Sequence, residues 1–138
     1  MRFRKDEKVE LISKVPLLAR CSKKELGLVA TLADLVQFHE GDTLMQEGQV
    51  GREFFIIVAG SVRVTRRGRK LADMGPGDWV GEIALISNVP RTATVVATSP
   101  LHALVLTRPA LSGLMYEVPS IAENVMASLG ERLVSHTI

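Results

Sequence analysis

Between Gly75 and Thr94 the chain gathers residue types that can hold an anion. The stretch opens on Gly75-Pro76-Gly77, tightens again at Gly81, and offers about one helix-compatible turn from Glu82 to Ile86. It closes on Pro90-Arg91 before a β-branched run. Glycine at position 81 permits a close backbone approach to a ligand, or a positive φ. A short helix after it would aim unpaired N–H groups at whatever precedes its first turn, a setting that favours an anion. Arg91 adds a planar cationic fork that can grip a phosphate through two parallel hydrogen bonds. Glu82 adds an acceptor for sugar hydroxyls. These residues together suit a small ligand bearing one phosphate and a neighbouring hydroxyl.

Other chemistries find little to work with. His39, His102 and His136 are far apart, with no carboxylate or cysteine at ligand spacing, so neither a metal site nor a histidine-rich β-roll enzyme of the cupin type is expected. No local signature pairs a nucleophile with a base, and the chain is read as a non-enzyme without a cofactor. The lone Cys21 forms no internal disulfide and reads as an inert small residue in a reducing, cytoplasmic setting. The N-terminus lacks the apolar core of a signal peptide, and no apolar run is long enough to span a membrane, so a soluble protein is expected. A net charge of only +2 argues against broad electrostatic binding to nucleic acid. Arg66-Arg67-Gly68-Arg69-Lys70 is a basic hairpin tip, read as a solvated turn, with an acidic partner or lipid surface as the sharper alternative.

The elements that must carry the phosphate-type residues follow from the pattern. At 138 residues the chain is long enough for one domain with its own core. Residues 6 to 15 form a short amphipathic helix ended at Val15-Pro16. Ser22-Lys23-Lys24-Glu25 is a capping box opening a helix that stops near Asp34. The period then changes to β-type runs at Leu35–Phe38, Thr43–Met45, Glu53–Val58, Ser61–Thr65, Lys70–Met74, Thr92–Ala97 and Leu101–Thr107. Eight of the eleven glycines fall between Gly41 and Gly81, where closely spaced turns point to a closed or double-sheet β architecture. Pro109 precedes a short helix from Ala110 to Tyr116. Pro119-Ser120 opens a longer one, with Ser120 and Glu123 as a capping box and Ala122, Met126, Leu129 and Leu133 as a narrow apolar stripe. The expected fold is α+β, an antiparallel, jelly-roll-like β-roll flanked by N-terminal and C-terminal helices. Its expected divisions are a single domain 1–138, with N-terminal helices 6–34, roll 35–107, ligand cassette 80–94 and C-terminal helices 109–135.

Val80-Gly81-Glu82-Ile83-Ala84-Leu85 followed by Pro90-Arg91-Thr92-Ala93-Thr94 resembles the phosphate-binding cassette of the cyclic nucleotide-binding domain family. That family includes regulatory subunits of cyclic-nucleotide-dependent kinases, cyclic-nucleotide-gated channels and catabolite-activator-type regulators. Upstream, Glu40-Gly41-Asp42, Gln46-Glu47-Gly48, Phe54-Phe55-Ile56-Ile57 and Gly60-Ser61-Val62 are similar to its glycine-punctuated hairpins, and the likeness covers roughly residues 10 to 135. By this resemblance Arg91 pairs with the cyclic phosphate and Glu82 accepts from the ribose 2′-hydroxyl. Gly81 and the backbone N–H groups of Ile83, Ala84, Thr92 and Ala93 complete the cradle.

The resemblance implies a receptor for cAMP, with cGMP as a second ligand because threonine at position 92 recurs in members that accept it. The C-terminal helices would report binding to an effector protein or to a second copy through the α-helical stripe, and Val125, Leu129 and Leu133 are candidates to cap the base. No direct nucleic-acid contact is expected. The alternatives are a sensor fragment of a larger transcription factor or ion channel, and a degenerate roll acting only in protein interaction. Two departures stand out. Val80, with Trp79 beside it as a packing residue, replaces the family's frequent phenylalanine. Arg52 occupies a position where the family often places an acid that steadies the phosphate arginine. Strand alternation would turn the nearest acid, Glu53, to the opposite face.

Overall fold

The computed structural model describes residues 5–15, 18–81 and 89–136. Two helices lead in, α1 (Lys5–Ile12) and α2 (Lys23–Leu32). Ser22 caps α2 reciprocally: its hydroxyl accepts from the Glu25 N–H at 3.1 Å, and the Glu25 carboxylate accepts from the Ser22 N–H at 2.9 Å. Among the described residues eight strands follow: β1 (Asp34–Phe38), β2 (Thr43–Met45), β3 (Glu53–Ala59), β4 (Val62–Arg66), β5 (Arg69–Met74), β6 (Trp79–Val80), β7 (Thr94–Ala97) and β8 (Leu101–Thr107). The chain then enters α3 (Arg108–Glu117) and α4 (Pro119–His136). Thr107 caps α3 with Pro109 in its first turn, where a missing N–H costs nothing.

The strands form two antiparallel four-stranded sheets, ordered β1-β8-β3-β6 and β2-β7-β4-β5. With the helices this is the expected α+β roll. Period-2 alternation explains why β3 and β8 are almost wholly apolar. Phe54 and Ile56 of β3, with Leu104 and Leu106 of β8, face α1–α4, where Ile12, Val29, Leu111, Leu114 and Ile121 are buried with them. Phe55, Ile57, Leu101 and Ala103 point the other way, into a second core with Val62, Val64, Val95 and Ala97 of the facing sheet. Both faces of these strands are covered, so polar alternation is absent.

Three expectations are corrected by packing. Strand β6, two residues long, was not expected; it pairs with β3 through Phe55↔Val80 and Ile56↔Trp79. Among the described side chains of α4 the buried ones are Ile121 and Val125, one step ahead of the first two expected stripe positions, because this face continues Val118 onto α3; Ala122 is half-buried and Met126 is 70% exposed. Ser120 falls inside the first turn of α4, which starts at Pro119, rather than at its cap. Trp79 packs against the helix-side core, as a packing residue should.

Candidate functional site

Arg91 lies where three pieces of chain converge. Strand β6 pairs with β3 and delivers Gly81 to the start of that strand. The loop from β2 to β3 brings in Gly48, Gln49 and Gly51. The segment entering β7 carries Arg91 itself. The backbone of Arg91 is clamped on both sides by the loop: its N–H donates to Gln49 O at 2.8 Å, and its carbonyl accepts from Gly48 N–H at 2.9 Å.

The guanidinium is held as firmly as the backbone. Arg91 is 8% exposed, the one charged residue among the buried polar residues described. Its Nη2 donates to the Glu53 carbonyl at 2.8 Å and to the Glu53 carboxylate Oε2 at 3.4 Å. The longer contact is with a half-exposed carboxylate, so the carbonyl is the stronger anchor. Two glycines make room for it. A Cβ on Gly51 would lie 2.3 Å from Arg91 Nε. A Cβ on Gly81, whose φ is +94°, would lie 2.6 Å from Glu53 O and 3.1 Å from Arg91 Nη1. The guanidinium is thus buried and held through Nη2, with glycine on two sides, and a fixed planar cation of this kind has the chemistry to pair with an anion.

Glu53 therefore does not face away from Arg91. Being the first residue of β3, it lies at the strand end, where its carboxylate folds back to accept from the Arg52 N–H at 3.2 Å as well as from Arg91. The acid missing at position 52 is supplied from the next position.

Thr92 is exposed and precedes β7, which begins at Thr94 rather than Thr92; its carbonyl accepts from Arg66 Nε at 2.8 Å. The Ala93 methyl is buried in the inter-sheet core, which leaves its backbone for any ligand contact. Glu82, Ile83 and Ala84 lie outside the described residues. Of the three proposed base-capping residues, Val125 is 2% exposed within the helix-side core and presents no surface to a base here; the side chains of Leu129 and Leu133 lie outside the description. Residues that spacing did not single out are Gly48, Gln49 and Gly51. Their glycine density was visible, but their partner was 40 residues away in sequence.

Away from the site, burial pushes the Cys21 thiol above its ordinary value, consistent with an unreactive side chain. Among the described residues no three His, Cys, Asp or Glu side chains stand together as a metal site. No described helix is long and apolar enough to cross a membrane.

The sequence model of the cyclic nucleotide-binding domain matches residues 35–117, from β1 through α3. The chain belongs to the cyclic nucleotide-binding domain family. It is similar to a cGMP-dependent protein kinase of Plasmodium berghei, 36% identical over 93 residues, which is 67% of this chain and 11% of the kinase. Among solved structures, the Thermus thermophilus catabolite activator protein superposes with a TM-score of 0.80 at 29% identity, over 87% of this chain and 59% of that one. The regulatory domain of Toxoplasma gondii PKA, crystallised with cAMP, superposes with a TM-score of 0.81 at 25% identity, over 93% of this chain and 50% of that one. The chain thus spans about a ninth of the kinase and between half and three-fifths of these two solved chains.

Proposed function

We propose that this domain is a cyclic nucleotide receptor that takes cAMP in preference to cGMP and regulates a partner, or a second copy, through its C-terminal helices. The observation that carries the reading is Arg91: a buried cation, fixed by Gln49, Gly48 and Glu53, with glycines on two sides. Such a group is already oriented for a cyclic phosphate and loses little freedom on binding it. In this reading Arg91 pairs with the phosphate and Glu82 accepts from the ribose 2′-hydroxyl. Backbone groups at Gly81, Ile83, Ala84, Thr92 and Ala93 complete the cradle. The cAMP-bound Toxoplasma structure supports cAMP, whereas the name of the Plasmodium relative points to cGMP, and Thr92 is compatible with both.

The proposed output is a population shift rather than catalysis. Ligand draws the cassette and the C-terminal helices together, as far as its differential affinity for the closed state allows. With Val125 committed to the core, a base-capping role passes to Leu129 or Leu133. The effector is a protein, and α4 is the proposed seam for a homodimer.

Calorimetric titration of the domain with cAMP and with cGMP, beside the Arg91→Ala variant, tests the reading. Loss of a charged hydrogen bond of about 1.5–3 kcal/mol predicts a drop in affinity of about tenfold to a hundredfold or more. Failure of both nucleotides to bind at millimolar concentration would leave the roll as a protein-interaction module.

A further inference from the structure

We propose that Arg66 and Glu47, which supply none of the proposed nucleotide contacts themselves, are positioning residues that brace the Arg91–Thr92 segment against the β4–β5 hairpin and thereby set ligand affinity. This inference rests on the nucleotide reading of Arg91. The β4–β7 ladder ends at the pair Thr65↔Thr94, before it reaches the arginine. Beyond that end a side chain supplies the next rung: Arg66 Nε donates to Thr92 O at 2.8 Å. On the opposite edge of the segment, Gly48 and Gln49 hold the Arg91 backbone.

Glu47 closes the ring. Its N–H donates to Thr94 Oγ1 at 3.0 Å, and its carboxylate Oε1 accepts from the Arg67 N–H at 2.9 Å. Arg67 and Gly68 form the two-residue turn of the β4–β5 hairpin, with φ of 53° and 78°, the conformation of a type I′ turn. Left-handed backbone is uncommon for arginine, and it directs the Arg67 amide to Glu47. The path Arg91–Gly48–Glu47–Arg67–Arg66–Thr92 therefore returns to its start through hydrogen bonds and single covalent steps. A guanidinium fork matches a phosphate only over a narrow range of placement, so the support of its backbone bears directly on affinity. Arg66 and Arg67 are exposed and Glu47 half-buried, so removing these contacts should disturb the fold little.

The test uses wild type, Arg66→Ala, Glu47→Ala, Glu47→Gln and the double alanine variant. Nucleotide affinity is measured by calorimetry, and amide exchange at Gly48 and Arg91 by NMR on the ligand-free protein. Each single alanine should weaken binding about threefold to tenfold, with the unfolding midpoint nearly unchanged. The double variant should lose less than the two losses combined, since one ring is broken only once. Glu47→Gln, whose amide oxygen still accepts from Arg67, should restore binding, which a purely electrostatic effect of Glu47 would not allow. Exchange at both amides should quicken in Arg66→Ala. The proposal is overturned if wild type binds, Arg91→Ala does not, and both alanine variants keep wild-type affinity. If wild type binds neither nucleotide the affinity role fails along with the nucleotide reading, while unchanged exchange rejects the brace by itself.

Discussion

On the helix-facing side of β3, Phe54 and Ile56 sit at 0% and 1% exposure among aliphatic side chains from all four helices. At the start of the same strand, Glu53 turns its carbonyl and part of its carboxylate to the guanidinium of Arg91. The first region is held by dispersion and the removal of apolar surface from water, which are non-directional and spread over many contacts. The second is held by a few hydrogen bonds, each with a required angle and length. Damage to the first should therefore appear as lost stability, and damage to the second as lost affinity. Covalent continuity along β3 couples the two, since the Glu53 carbonyl is placed by the strand that Phe54 anchors.

The largest expected effect tests the apolar side. Phe54→Ala should cost about 3–5 kcal/mol of stability, read from denaturant unfolding. A loss under about 1 kcal/mol would mean that β3 is not the mechanical centre of the roll. Next comes Gly51→Ala. Its backbone lies outside the left-handed region, so the added methyl meets chiefly the Arg91 guanidinium. Displacing that group should weaken nucleotide binding about tenfold or more, while the ligand-free unfolding midpoint moves less than in Phe54→Ala. The reverse order would break the contrast.

Smaller effects sharpen it. Ser22→Ala removes the cap of α2 and should cost about 1 kcal/mol of stability with nucleotide affinity unchanged. The smallest effect belongs to Asp73, whose carboxyl is held below the ordinary carboxylate value by its hydrogen bonds with Lys70 and Arg63. A carboxylate lowered on folding stabilises above its unfolded titration point, and that contribution is lost as pH falls through its folded one. Asp73→Asn should therefore lower the melting temperature slightly at neutral pH. The gap to wild type should close in acid below the ordinary carboxylate range, and at neutral pH it should narrow with added salt.

Much of this was legible in the residues. The Ser22–Glu25 box, the seven longer strand runs and Pro109 at the head of α3 rest on local chemistry that needs no partner. The likeness of Val80 to Leu85 and Pro90 to Thr94 pointed to the family that the comparison with residues 35–117 then established. Other features escaped for identifiable reasons. Strand β6 is too short to show a period. The start of the stripe in α4 was placed at 122/126, whereas 121/125 is buried, a shift of one residue that helical spacing alone does not exclude. Glu53 was assigned by strict alternation, which fails for a side chain free to fold back at a strand end.

Local order and the site's residue types were thus determined by the sequence alone, because caps, turns and strand periods are written within a few residues of where they act. Only the tertiary structure decided how Arg91 is supported. The groups that grip it, Gly48, Gln49 and Glu53, lie about forty residues upstream, and the pairing of β2 with β7 and of β3 with β6 brings that part of the chain beside it. Which face of α4 is buried was likewise set by the surface it met, since helical periodicity offers candidate faces and a neighbour selects among them.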